Sequence, residues 1–279
     1  MIRHGARHNS FRLIVASVLG LTSLAALATR LSAFPGGTPQ LVTNMNPQCA
    51  NCHSSVDADQ LRDQAPERAT SMVIANRHYA SLEHGDRDYA KLSTDDRTKL
   101  LTAVKAVDAN SKIEMALSSE KVKPSGTITV TITTHGGAGP VVGVMLTDCD
   151  LRYSASPVQV EGFVITQDPQ VVGPDGKPQT AFLDGRAKEL SRNINYVNVQ
   201  GVQSDPDAGK WPVCKVTYTL AAPAKAGVYT ISAAFLYGTE KSVAIGRVEG
   251  PNGRVGPAGG GGAPSGRIQF AKPVKVTVG

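Results

Sequence analysis

Two cysteines three positions apart, with a histidine directly behind the second, hold the most specific chemistry of this chain: Cys49-Ala50-Asn51-Cys52-His53. The C-x-x-C-H spacing lets each thiol add to one vinyl group of haem, and the adjacent imidazole then reaches the iron as proximal ligand. The pattern therefore specifies one covalently bound haem c, with Cys49 and Cys52 as attachment points and His53 on the metal. A redox-active C-x-x-C pair would want a surrounding βαβ pattern. Half of a zinc site would want a second Cys/His pair at ligand spacing. The sequence supplies neither.

The sixth position on such an iron is assigned to His84, at the end of the helical stretch that follows the motif. His78 lies six residues earlier on a different helical face, and Met72 sits in an apolar stripe whose ordinary role is packing. Both rank behind His84. His135, in Thr133-Thr134-His135-Gly136-Gly137, reads as a solvated turn residue. The two cysteines outside the motif, Cys149 and Cys214, are expected to pair if the chain is exported to an oxidising compartment. That bond would close a loop of about 65 residues, stabilising by roughly 4 kcal/mol in the loop-entropy account. Two unpaired buried thiols are the alternative. No nucleophile elbow, H-E-x-x-H, P-loop or dinucleotide fingerprint is present. The carboxylates fall mostly in caps and loops (Asp95, Asp96, Asp205, Asp207), and Asp148, Asp150 and Asp184 read as solvated acidic turns. An electron carrier or a subunit of a redox complex is expected, not an enzyme.

The elements that must position this chemistry begin with a leader. Arg3, Arg7 and Arg12 precede an apolar run from Leu13 to Ala28, and Ala26-Leu27-Ala28 supplies an A-x-A cleavage site, with a second cut available after Ala33. The run is short of the ~20 apolar residues of a membrane span. An uncleaved anchor reaching Phe34 would bury Arg30. Residues 1–33 thus read as a secretory signal, and membrane contact is expected only if they stay attached. Their removal takes away four arginines and no acid, leaving 25 basic against 23 acidic side chains. The basic balance is a property of the leader, and nucleic acid is not an expected partner.

Residues 34–111 read as helical. Pro66 fits a first turn, and Met72, Ala75, Tyr79 and Leu82 recur at helical spacing from Glu67 to Glu83, with Gly85 as the stop. Ser93-Thr94-Asp95-Asp96 resembles a capping sequence ahead of an apolar face of Leu100, Leu101, Val104 and Val107. From residue 112 the period switches to two. Thr127–Thr133 alternates, with Ile128, Val130 and Ile132 on one face. Further strands are expected at Val141–Leu146, Val158–Thr166, Ile194–Val199, Val213–Leu220, Val228–Phe235 and Ile268–Val278. Residues 246–266, with four glycines from Gly259, read as a long loop.

Two resemblances follow from these residues. Residues 49–108, with Cys49-Ala50-Asn51-Cys52-His53 and a closing helix opened by Leu92-Ser93-Thr94-Asp95-Asp96-Arg97, resemble a class I cytochrome c. That family places a distal Met shortly before its closing helix. Here His84 stands nearest, so the resemblance implies bis-histidine ligation in place of His/Met. Residues 112–279 resemble the immunoglobulin, fibronectin and Reeler-type modules of secreted proteins, through Pro124-Ser125-Gly126-Thr127-Ile128-Thr129-Val130 and Ala222-Pro223-Ala224-Lys225-Ala226-Gly227-Val228-Tyr229. Gly227-x-Tyr229 is similar to a tyrosine corner, although Ile231 stands where a true immunoglobulin domain has Cys.

The expected architecture is α+β: a small helical haem-binding segment followed by an antiparallel, immunoglobulin-like β-sandwich. The expected function is electron transfer by an exported mono-haem protein of the periplasm or cell envelope, with a redox protein as partner. Two rivals are an envelope binding or structural module built on the sandwich, and a haem enzyme or sensor with an open sixth position.

Overall fold

The computed structural model describes residues 55–86, 89–139, 141–180, 194–240, 245, 247–249, 255–257 and 266–279. The leader and Cys49, Cys52 and His53 lie outside the described residues. The strands are β1 (Lys112–Leu117), β2 (Lys121–Val122), β3 (Thr127–His135), β4 (Val141–Thr147), β5 (Val164–Ile165), β6 (Gln170–Val172), β7 (Pro178–Gln179), β8 (Tyr196–Gln200), β9 (Val213–Ala221), β10 (Gly227–Tyr237), β11 (Arg247–Glu249), β12 (Val255–Pro257), β13 (Arg267–Phe270) and β14 (Val274–Val278). The helices are α1 (Pro66–Met72), α2 (Ala80–His84), led in by a π turn at Ala75–Tyr79, and α3 (Thr94–Asn110).

The strands form two main sheets. The first runs β1-β3-β9-β6-β7, with β5 also on β9; the second runs β2-β14-β10-β4-β8, with β13 also on β10. All pairs in them are antiparallel except β14 with β2. Inward side chains of both sheets share one buried cluster: Ile128, Val130 and Ile132 of β3 and Val216, Tyr218 and Leu220 of β9 face Val142, Val144 and Leu146 of β4 and Ile231, Ala233 and Phe235 of β10. This is a β-sandwich. Tyr229 completes a tyrosine corner, its hydroxyl donating to the Lys225 carbonyl at 2.8 Å.

The helical residues close over this sandwich and share its core. Leu82, Tyr89, Leu100, Val104 and Val107 belong to the same buried cluster as the inward strand residues. Residue 111/112 therefore marks a change of period within one core. Ser93 caps α3 by accepting from the Asp96 amide at 3.1 Å. At its far end Gly136, at φ 67°, touches the helix so closely that a Cβ would lie 2.5 Å from the Asn110 carbonyl.

The helix expected from Glu67 to Glu83 is broken. α1 ends at Met72, because Val73 turns extended and bridges to Val56 in parallel, with the Ile74 amide donating to the Val56 carbonyl at 3.1 Å. Chain pairing overrides the helical period here, at two β-branched residues that hold helix weakly. Gly85, at φ 75°, ends α2 as expected. The strand expected over Val158–Thr166 is a 3-10 turn, Val158–Glu161, and the two residues of β5. The single strand expected over Ile268–Val278 divides into β13 and β14 around Lys272 and Pro273, where proline supplies no amide for the ladder. Within 246–266 the paired strands β11 and β12 replace part of the expected loop; Gly259 to Gly262 lie outside the described residues.

Candidate functional site

A buried polar assembly stands where the helices meet the second sheet. Asp108, on α3, accepts from the Tyr79 hydroxyl at 2.8 Å, the Tyr237 hydroxyl at 2.9 Å and Arg267 Nη2 at 3.0 Å. Arg267, with 4% of its side chain exposed, also reaches His78 Nδ1 at 2.7 Å. A guanidinium only donates, so Nδ1 must accept and Nε2 carries the imidazole proton. That proton points to Glu240 Oε1 at 3.0 Å, and the Tyr89 hydroxyl donates to the same oxygen.

Electrostatics follow from these contacts. Burial pushes the Tyr237 and Tyr79 phenols well above their usual range, and the Asp108 charge adds to it. Burial disfavours the Arg267 charge, but Asp108 more than offsets it and holds the guanidinium protonated. Burial also pushes Glu240 up, yet the hydrogen bonds from His78 and Tyr89 outweigh it and hold the carboxyl down to about 2. These groups are committed to one another: two tyrosines keep their protons, one carboxylate neutralises one arginine, and the histidine is saturated on both nitrogens. The arrangement fastens helix to sheet, and none of its members is poised as nucleophile or base.

Beside this assembly lies a partly open cavity of about 270 Å³. Its walls combine apolar Val56, Ile74 and Ile268 with Tyr79, Lys105 and Gln269. Lys105 is exposed on α3, with Nζ 5.3 Å from the Tyr79 ring centroid and no carboxylate within ion-pair distance among the described residues.

The residues singled out from sequence separate into used and unused groups. His78 is held by Arg267 and Glu240 and has no nitrogen left for iron. Met72 is buried in a second cluster, where its sulfur accepts from the Tyr153 hydroxyl at 3.5 Å. His84, the last residue of α2, is exposed and makes no hydrogen bond among the described residues. Its imidazole fits the demand of a sixth ligand, and the apolar-plus-cationic cavity near Val56 fits a group with an apolar body and carboxylates. Haem is thus compatible with the residues present.

The expected Cys149–Cys214 bridge is corrected: both thiols are free. Cys214 lies in the core between the sheets, whereas Cys149 packs into the cluster on the outer side of the second sheet. Packed sheets stand ~10 Å apart, and a disulfide needs Cα atoms within about 7 Å. Burial pushes each thiol up to about 11. Sequence reasoning missed Asp108, Arg267, Tyr237 and Glu240, which come together only through topology; His78 and Arg267 are 189 positions apart.

No family model and no curated protein matches this chain. Solved structures that it resembles include the N-terminal domain of a Streptococcus gordonii adhesin (10% identity, 62% of this chain and 33% of that one, TM-score 0.31). They also include the pilus backbone protein RrgB of Streptococcus pneumoniae (12%, 60% and 46%, TM-score 0.33) and BslA, a bacterial hydrophobin (11%, 61% and 95%, TM-score 0.31). The chain spans about a third to a half of the adhesin and pilin structures. TM-scores this low define no shared topology.

Proposed function

We propose that this chain works in the cell envelope as an exported β-sandwich module, and that its N-terminal segment carries one haem c for electron transfer to a redox partner. The observation behind the haem is Cys49-Ala50-Asn51-Cys52-His53, placed three residues ahead of Val56, which is anchored by its bridge to Val73 beside the cavity. Bound haem would supply the one-electron couple, and the protein would tune it through axial ligand, burial and nearby charge. His53 would be the proximal ligand and His84 the distal one. A carrier and not an enzyme is the reading adopted, because Asp108, Arg267 and His78 are engaged with one another and with tyrosines in structural contacts.

A second reading keeps the sandwich and drops the haem: a binding or structural module of the envelope. It is favoured by the self-sufficiency of the Asp108–Arg267 pair, which the Tyr79 and Tyr237 hydroxyls and His78 complete without a cofactor. An ultraviolet–visible spectrum of the exported protein after acid–acetone extraction, oxidised and then dithionite-reduced, separates the two. Sharp low-spin bands that survive extraction support the electron carrier. Protein free of haem, made in cells with working maturation machinery, leaves the sandwich module.

A further inference from the structure

We infer that the cavity beside Val56 receives the carboxylate-bearing edge of the tethered haem, with Lys105 as its counter-cation; this rests on the haem reading above. Reach comes first. Two residues, Ser54 and Ser55, separate His53 from Val56, a span of at most about 11 Å, and Val56 is itself part of the cavity wall. The cavity therefore lies within the radius that a haem fixed at Cys49, Cys52 and His53 can sweep.

Size and chemistry agree with one edge of a larger group. At about 270 Å³ the cavity falls just under the ~300–1,000 Å³ of sites that enclose whole ligands. Val56, Ile74 and Ile268 suit an apolar ring edge, and Gln269 and Lys105 offer donors to carboxylates. Of the two cations on the walls, Arg267 is neutralised by Asp108. Lys105 has only the Tyr79 ring as partner among the described residues, so its charge is available. Two acids also face the space. Asp108 is saturated by Arg267, Tyr79 and Tyr237. Asp57, exposed next to Val56, is the like-charged neighbour that a bound carboxylate would feel.

The test is potentiometric titration of the full exported holoprotein at low and high salt. A cation near the haem favours the reduced state, which carries one positive charge fewer. Lys105→Gln is expected to lower the midpoint potential, and Lys105→Glu to lower it further. Asp57→Asn should raise it, and every shift should shrink at high salt. Opposite-signed shifts from two exposed residues are not a signature of lost packing. Haem-loaded variants whose potentials match the unmodified protein at both salt concentrations would overturn the inference while sparing the haem reading. A protein exported without covalent haem would overturn both.

Discussion

The two sheets of the sandwich are built to different rules. In the first, β3 alternates strictly, with Ile128, Val130 and Ile132 buried and Thr129, Thr131 and Thr133 half-buried on the outer face. In the second, every described residue of β4 after Val141 is buried, and β10 is buried from Ile231 to Tyr237. The reason is a second apolar layer: Met145, Ala234, Leu236 and Ile268 point away from the sandwich core and meet Val56, Leu61 and Met72. The first sheet has a wet side; in the second, β4 and the stretch of β10 from Ile231 have none, whereas β14 and the start of β10 still face solvent. An antiparallel sheet thus reads as a continuous apolar run wherever a third layer covers it.

The largest effect on this contrast is expected from the fastening of that cover. Asp108→Ala leaves Arg267 buried without its carboxylate and removes the acceptor of two tyrosines. The expected cost is about 3–5 kcal/mol, read from urea unfolding curves; a loss under 1 kcal/mol would mean the assembly is ornamental. Next comes the covered face itself. Leu236→Ala should cost about 2–5 kcal/mol although it points away from the sandwich core. Thr131→Ala, on the outer face of the first sheet, should stay within about 0.5 kcal/mol. Equal costs would erase the distinction between the sheets. The smallest expected effect is the pH response of Glu240. Its folded value lies below the usual 4.5, so its contribution is present above that value and is lost as pH falls through about 2. The amount is at most about 3 kcal/mol at 1.36 kcal/mol per unit. Glu240→Gln should flatten stability against pH between about 4.5 and 2, and an unchanged acid limb would remove Glu240 from the assembly.

In the first sheet β3 and β9 were legible from sequence while β1, β6 and β7 were not; in the second, the positions of β4, β8 and β10 were legible but not their faces. The alternation of Thr127–Thr133 states both strand and face, because one side meets solvent. Strand positions in β4 and β10 were legible as apolar runs, but not the fact that Met145 and Leu236 face outward, since period two vanishes when both sides are dry. The cap at Ser93 and the stop at Gly85 are local chemistry and were found. The break at Val73 was hidden, because its cause is a bridge to Val56 and not a helix breaker. For the site, the motif from Cys49 to His53 lies outside the described residues. Chemistry assembled from distant residues was not legible: His78, Asp108, Glu240 and Arg267 show nothing in their neighbourhoods that marks them as partners. The free state of Cys149 and Cys214 was hidden for the same reason, being decided by which side of a sheet each occupies.

The pairing of β14 with both β10 and β2 has a kinetic consequence. A chain emerging amino-terminus first presents β2 and β10 before the strand that joins them exists, and His78 waits 189 positions for Arg267. Contacts so distant in sequence are slow to form, because loop closure precedes any reward. Folding of this chain should therefore be a late event that completes only after nearly all of it has been synthesised.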